Sequence, residues 1–268
     1  MASGSLTSVL GVIVALVLLG GFATYRIQAM NAVDTGASYA PARTYRLYEG
    51  TPAAAYPEGA AGILLPAVTP LGSWSAAAVR KALLQVKNAL VASHLDRETL
   101  VDHNAVTFLA MLTEPSREFQ QRMFRSHEAT PAIFVAKDVK LADVAPRVSG
   151  RLTVSASAGY LVVRSNYVWA YAFSGVSNSP GDHVVVVHDE IEWRAYGDDA
   201  EDPGLSVAGI RSYVYNISCA DIKAGVIAPN RSVVDDGADD GVDWSRQAYD
   251  PKQSVEVPDK CPSPSPSG

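Results

Sequence analysis

The sequence has few cysteines and no excess of positive charge. Its 268 residues include 2 cysteines, 22 Lys and Arg against 28 Asp and Glu, and carry a net charge of −6. Two cysteines are too few for a disulfide-dense small protein or a four-cysteine zinc site. Binding to nucleic acid depends on clustered Lys and Arg, which this chain lacks. We therefore expect no metal, no cofactor and no nucleic-acid partner.

Charged residues are absent from the N-terminal part of the chain. Arg26 is the first charged side chain, and residues 6–25 form one apolar run rich in Val, Leu and Ile. A helix of this length spans about 30 Å, the thickness of the hydrocarbon core of a bilayer. The run favours a transmembrane anchor over residues 1–26. A cleaved signal peptide is the first alternative, because Gly21 and Ala23 suit a cleavage site. A buried helix of a folded domain is the second, although such helices rarely lack a polar face.

The orientation of this anchor follows from opposing signals. Arg26 and Arg43 follow the apolar run, and the positive-inside rule then favours a cytoplasmic C-terminal part. Large domains, however, are translocated largely regardless of their charge. The sequence predicts a single-pass protein of the cytoplasmic membrane, with its C-terminal domain outside and residues 6–25 in contact with lipid.

The rest of the chain divides by composition into three parts. Residues 27–73 are rich in Ala, Gly and Pro and show no sustained period, which is typical of a tether with a few docking residues. We expect the apolar run Ile63–Leu65 to pack against the domain. Residues 74–228 carry the hydrophobic patterns of a folded domain. Residues 229–268 combine an acidic loop with a Pro- and Ser-rich end, and we expect disorder there.

Helical patterns precede strand patterns in the predicted domain. Apolar spacing predicts a helix that begins after Ser75, a short turn at Asp96, a helix from Asn104 and a helix over Ser116–Arg125. A period of two then predicts five strands, at Ile133–Ala142, Arg151–Ser157, Tyr160–Phe173, His183–Tyr196 and Ile210–Ile217. This order indicates an α+β domain, in which two to three helices pack on a long, curved antiparallel sheet.

The order of elements over Ser75–Ile227 resembles the cone-shaped fold of the nuclear-transport-factor-two-like superfamily. An anchor and a tether before such a domain look like two groups of bacterial envelope proteins. One comprises the inner-membrane assembly factors of type IV secretion and conjugation machines, and the other the membrane proteins associated with mammalian-cell-entry lipid transporters. Both groups use the domain for assembly rather than chemistry. The resemblance implies a non-catalytic domain that binds other membrane or envelope proteins, or itself.

The resemblance also implies an alternative, because isomerases and dehydratases of the superfamily hold an acid/base pair inside the cone. Alternation along the fourth strand places Asp189 on the face of Val187 and Trp193, while Val186 and His188 are expected to face water. A carboxylate in a pocket can act as a general base, and aromatic side chains can line an apolar pocket. The candidate ligand-binding residues are therefore Tyr167, Trp169, Tyr171, Asp189 and Trp193. No motif predicts a catalytic residue.

The cysteines and histidines give weaker signals. Cys219 and Cys261 can form a disulfide outside the cell, and two free thiols are an equally simple alternative. His94, His103 and His127 lack the spacing of metal ligands, so we expect them at surface or cap positions. The acidic loop around Asp236 is not an EF-hand, because Gln247 stands where a Glu is required.

Overall fold

The computed structural model of the chain describes residues 47–175, 181–230 and 247–256. The predicted transmembrane run, residues 6–25, lies outside these ranges, as does the acidic loop around Asp236. Within the described ranges, every helix is too short or too polar to cross a bilayer.

The first helix, α1, covers Ala76–His94 and packs along the sheet. Ser75 caps it, as predicted, because the Ser75 hydroxyl accepts a hydrogen bond from the N–H of Ala78. The buried apolar side chains of α1 recur every three or four residues: Val79, Ala82, Leu83, Val86, Ala89 and Leu90. The apolar period therefore predicts correctly which face of α1 meets the core.

Three further helices follow α1: α2 (Arg97–Leu100), α3 (Val106–Leu109) and α4 (Glu114–Ser126). The Asp96 carboxylate caps α2 by accepting from the N–H of Glu98. In α4 the buried side chains belong to Ser116 and Gln120. Phe119, in the same helix, is 46% exposed.

Five antiparallel strands form one curved sheet: β1 (Lys140–Leu141), β2 (Arg147–Ser157), β3 (Tyr160–Ser174), β4 (Val184–Tyr196) and β5 (Leu205–Tyr215). One edge of β3 pairs with β2 and then with β1, while its other edge pairs with β4. β5 lies beyond β4. A short helix, α5 (Cys219–Lys223), follows the sheet. The predicted α+β class with an antiparallel sheet is confirmed.

Three of the predicted strand ranges need correction. The second strand, predicted from Arg151, begins at Arg147. The strand expected over Ile133–Ala142 is reduced to β1, because the backbone before it bonds elsewhere. The N–H of Val135 donates to Leu100, and that of Ala136 donates to Ile227. This segment therefore joins α2 to the chain after α5 instead of entering the sheet. β5 begins earlier than predicted, at Leu205, because an extra residue at Ala208 interrupts the alternation between Val207 and Ile210.

One end of the sheet is buried on both faces. Odd positions of β3 and β4 face α1, and even positions face outward. At this end the even positions are buried as well: Val168, Ala170, Ala172, Val184, Val186 and His188. The expectation that Val186 and His188 face water is therefore wrong. Further along the same face, Glu190 and Glu192 remain partly exposed.

Segments from both flanks of the predicted domain cover this outward face. The buried Tyr48 places its hydroxyl 3.2 Å from the carbonyl oxygens of both Ala145 and Ala170. The Tyr56 hydroxyl donates to the carbonyl of Tyr249. These contacts fix residues 47–57 and 247–256 to the domain.

Within the described residues, parts of the predicted tether and of the predicted tail pack on the domain. Ala53, Ile63, Ala248 and Val255 are buried in segments that the composition assigns to a tether and a disordered end. Their burial involves single side chains without a helical or strand period, so a periodicity argument does not find it.

Two strand glycines allow a test of the packing. Gly150 in β2 lies opposite Tyr167, and a Cβ at Gly150 would lie 2.5 Å from Cδ1 of the Tyr167 ring and 2.2 Å from the carbonyl oxygen of Asn166. A Cβ at Gly209 in β5 would have nothing within 4 Å.

We predict that Gly150→Ala lowers the free energy of unfolding by about 2 kcal/mol, because the ring and the backbone of β3 must move. Gly209→Ala is the matched control and should change it by less than about 1 kcal/mol. Chemical denaturation measures both. Equal effects of the two substitutions would contradict the packing of Tyr167 on β2.

Burial of His188 generates a pH-dependent prediction. Burial lowers the pKa of His188 below its ordinary value of 6.5, although the carboxylates of Asp189, Glu190 and Asp250 act in the opposite direction. The folded state therefore binds fewer protons than the unfolded state. The free energy of unfolding decreases as the pH falls through 6.5, because the unfolded state gains protons there. Between pH 7.5 and pH 5.5, the native chain should lose more unfolding free energy than His188→Gln. A larger loss in the variant would show that the flanking segments leave His188 solvated.

Candidate functional site

The five candidate residues lie together on the face of the sheet that meets α1. Tyr167 is directly opposite Asp189 in the β3–β4 pairing, and Trp169, Tyr171 and Trp193 follow on the same face. Each of the five side chains is at most 1% exposed. Strand alternation thus places these residues on one face, but the site is the interior of the domain and not an open pocket mouth.

The centre of the site is a hydrogen bond between α1 and β4. His94 Nε2 lies 2.7 Å from Asp189 Oδ2, and His94 Nδ1 lies 2.7 Å from the hydroxyl of Ser93. His94 and Asp189 are 0% and 1% exposed at their side chains. A polar chain therefore runs from Ser93 through the imidazole to the carboxylate, entirely inside the protein.

His94 is the residue of the site that sequence reasoning misses. The expectation of a surface or cap position is wrong for it, whereas His127 does cap the end of α4. A signal was present, because His94 is four residues after Leu90 and continues the buried stripe of α1. Its partner Asp189 is 95 residues away in sequence, so no local pattern indicates the pair.

Aromatic contacts hold the imidazole in place. The ring of His94 stacks on that of Trp169, with 4.3 Å between centroids and 19° between planes. The Tyr171 hydroxyl donates to the carbonyl of His94 at 3.1 Å. Burial, together with the Asp189 carboxylate, raises the pKa of Tyr171 well above its ordinary value, so this phenol stays protonated and remains a donor.

Further aromatic side chains fill the space beside the pair. Trp193 donates from Nε1 to the Ser165 hydroxyl at 3.0 Å, and the ring of Phe108 meets that of Trp193 edge-on at 6.4 Å. The rings of Tyr167 and Trp169 are 5.5 Å apart. The region between α1 and the sheet is thus packed with large side chains, as in a protein core.

Three polar atoms in this region have no hydrogen-bond partner among the described residues. They are Oδ1 of Asp189, the hydroxyl of Tyr167 and Nε1 of Trp169. Burial raises the pKa of Tyr167, so its hydroxyl also remains protonated. His94 and Asp189 are joined by one hydrogen bond, and Asp189 Oδ1 can accept a further bond. With these atoms buried, a substrate reaches them only if the core opens.

Three surface grooves lie elsewhere on the described part of the chain. A groove of about 280 Å³ runs beside Trp74 and Lys81, and one of about 450 Å³ crosses the outward face of the sheet near Arg211. The third, of about 530 Å³, lies between α3 and α4 around Val106 and Phe124. Asp189 and the candidate aromatic residues line none of these three grooves.

The remaining predicted features are placed as follows. Cys219 begins α5, while Cys261 lies outside the described residues, so their disulfide stays a prediction. Within residues 47–175, 181–230 and 247–256, no group of three His, Cys, Asp or Glu side chains could hold a metal ion.

Comparison with known proteins assigns no family, since no family model, curated protein or solved structure matches this chain.

The buried pair generates a stability prediction. His94→Ala and Asp189→Ala should each lower the free energy of unfolding by about 3 kcal/mol, because each leaves a buried polar partner unpaired. The double variant should lose much less than the sum of the two, as measured by chemical denaturation. Arg164→Ala is the control, because it breaks an exposed ion pair with Glu192 and should cost less than about 1 kcal/mol. Additive losses for His94 and Asp189 would contradict a structural pair.

Proposed function

We propose that the chain is a single-pass membrane protein that presents a non-catalytic α+β domain outside the cytoplasmic membrane, for protein assembly in a bacterial envelope complex. The observation that carries this proposal is the filled interior. Binding sites for small molecules are usually open clefts that leave room for a ligand. Here Trp169, Trp193 and Tyr171 occupy the space between α1 and the sheet. The surfaces of the domain are then the parts available for function.

The anchor and the surface also support assembly. The uncharged run over residues 6–25 supports attachment to a bilayer. On the described surface, apolar side chains are exposed at α3 and α4, with Val106 59% and Phe119 46% exposed. Exposed apolar residues of this kind are more frequent where proteins associate.

Thiol labelling in intact bacteria tests the location. Phe119→Cys provides an exposed thiol and Ala89→Cys a buried one. We expect a membrane-impermeant maleimide to label Phe119→Cys in intact cells and Ala89→Cys only after denaturation, with the unmodified chain as the background for its own cysteines. Labelling of Phe119→Cys only after lysis would place the domain in the cytoplasm and contradict the proposal.

Crosslinking in native membranes tests the assembly. The full chain should stay in the membrane fraction after a high-salt wash and form defined crosslinked species with envelope proteins or with itself. Val14→Arg with Leu18→Arg places charges inside the apolar run and should release the chain from the membrane. A membrane-bound chain that forms no crosslinked species would contradict an assembly function.

A second candidate function is small apolar ligand binding or isomerase-like catalysis at Asp189. The buried contact between His94 and Asp189, with Asp189 Oδ1 unpaired, is the observation that favours it. This function requires the core to open around Trp169. A small apolar ligand that raises the melting temperature of the native chain, and fails to do so for Asp189→Asn, would establish it.

A further inference from the structure

The two edges of the sheet are covered to different extents. Along β2, the N–H of Gly59 donates to Pro146, and the N–H of Val148 donates to Pro57. Gly72 lies against Ala156 near the far end of the same strand. Residues 57–72 therefore contact both ends of β2. Among the described residues they make no backbone hydrogen bond to Gly150, Leu152 or Val154 between those ends.

The β5 edge is shielded only where the strand begins. The N–H and C=O of Leu205 bond to Met111 and Thr113, and the N–H of Val207 donates to the Ser116 hydroxyl at 3.1 Å. Beyond this point, residues 208–214 have no backbone partner on the open side among the described parts of the chain. Ala208, Gly209, Arg211 and Ser212 are also exposed. The edge is thus available for a further strand over about seven residues.

The pairing with β4 determines which backbone groups face outward. Val207 pairs with Trp193 and Gly209 with Glu192, so Ala208 is an extra residue that shifts the alternation. Before this bulge, the backbone N–H and C=O groups of Leu205 and Val207 face away from β4. In an antiparallel ladder the bonding positions alternate, so after the bulge Gly209 and Arg211 bond to β4.

The outward groups of the open edge therefore belong to Ile210, Ser212 and Val214. The same alternation predicts that the backbone of Asn216, two residues after Val214, also faces outward. Its carbonyl accepts a hydrogen bond from the N–H of Asn230, as this alternation requires. Residues 208–214 contain neither Pro nor Lys, the residues that commonly protect an exposed edge.

We propose that a second copy of the chain pairs antiparallel with this edge, in a two-fold arrangement centred on Ser212. The inference rests on the proposed assembly function and names its partner. Centred there, Ser212 bonds to Ser212 of the second copy, and Ile210 bonds to Val214 of that copy, so every outward group finds a partner. Centring on Val214 would require Asn216, whose carbonyl is already bonded, and centring on Ile210 would use the bulged Ala208.

The side chains agree with the same register. Ile210 would meet Val214 of the second copy on the α1-facing side, which pairs two apolar side chains. On the outward side Arg211 would lie opposite Tyr213 of the second copy, at a position where side chains approach closely. Glu190 and Glu256 hold the Arg211 guanidinium at 2.6 and 2.7 Å. A cation beside a phenol ring is attractive, and this register places no two like charges opposite each other.

Crosslinking at single positions tests the register. In the full chain in native membranes, Ser212→Cys should crosslink to itself with a short thiol-specific reagent, since two central residues lie about 5.5 Å apart at Cα. Ser155→Cys is the matched control, an exposed serine on the opposite edge strand, and should give only the background of the unmodified chain. Co-expressed Ile210→Cys and Val214→Cys chains should crosslink to each other more than to themselves. Failure of Ser212→Cys, or equal yields at Ser155→Cys, would overturn the proposal.

A backbone substitution separates the edge from the rest of the surface. Ser212→Pro removes an outward N–H and leaves the bonds to β4 in place, so edge strands tolerate it. Dimerisation of the full chain, measured by sedimentation in detergent, should weaken about tenfold or more for Ser212→Pro and remain unchanged for Ser212→Ala. Unchanged dimerisation in Ser212→Pro would overturn the β5 pairing.

The same experiments distinguish the inference from the proposed function. If Ser212→Cys gives no dimer while the chain still crosslinks to other envelope proteins, the β5 pairing is wrong and the assembly function stands. If the chain crosslinks to no protein at all, both are wrong.

Discussion

The buried hydrogen bond between His94 and Asp189 is the interaction on which the interior of the domain depends. It joins the last turn of α1 to the middle of β4, and neither side chain reaches solvent. An imidazole and a carboxylate lose their hydration there, which is tolerated only while they remain paired. Trp169 stacks on the imidazole and Tyr171 bonds to the backbone of His94, so the core closes around the pair. The contact that fixes the helix on the sheet also lies where the second candidate function, isomerase-like catalysis at Asp189, would require its substrate.

Because the interior is filled, the surface of the domain is the part available for binding. The outward face of the sheet is covered at one end by residues 47–57 and 247–256, and residues 57–72 bond to the start of β2. The second half of β5 leaves outward N–H and C=O groups exposed, and another strand can bond to them. The proposed assembly function rests on this combination of a filled core and an open strand edge.

The predictable parts of the structure are those with a local period. The stripe of α1 and the alternation of β3 and β4 place Tyr167, Trp169 and Asp189 on one buried face without any knowledge of the fold. The burial of His94 is not predicted, because its hydrogen-bond partner Asp189 is 95 residues away in sequence. The burial of Tyr48 and Tyr249 is not predicted for a related reason. Tyr48 bonds to Ala145 and Ala170 of the domain, Tyr249 bonds to Tyr56 of the other flank, and neither flank has a period. Sequence patterns report which face of an element is buried, whereas pairing across the fold decides which polar residues can join it.

Hydrogen exchange of the tryptophan indole groups tests the closed core most directly. Nε1 of Trp169 has no hydrogen-bond partner among the described residues, so burial alone can protect its proton, while the partly buried Trp74 serves as an internal reference. In NMR measurements on the full chain, we expect the indole protons of Trp169 and Trp193 to exchange only through global unfolding. The indole proton of Trp74 should exchange much faster. Exchange of Trp169 as fast as that of Trp74 would contradict a filled interior, and would place a solvent-accessible pocket beside Asp189.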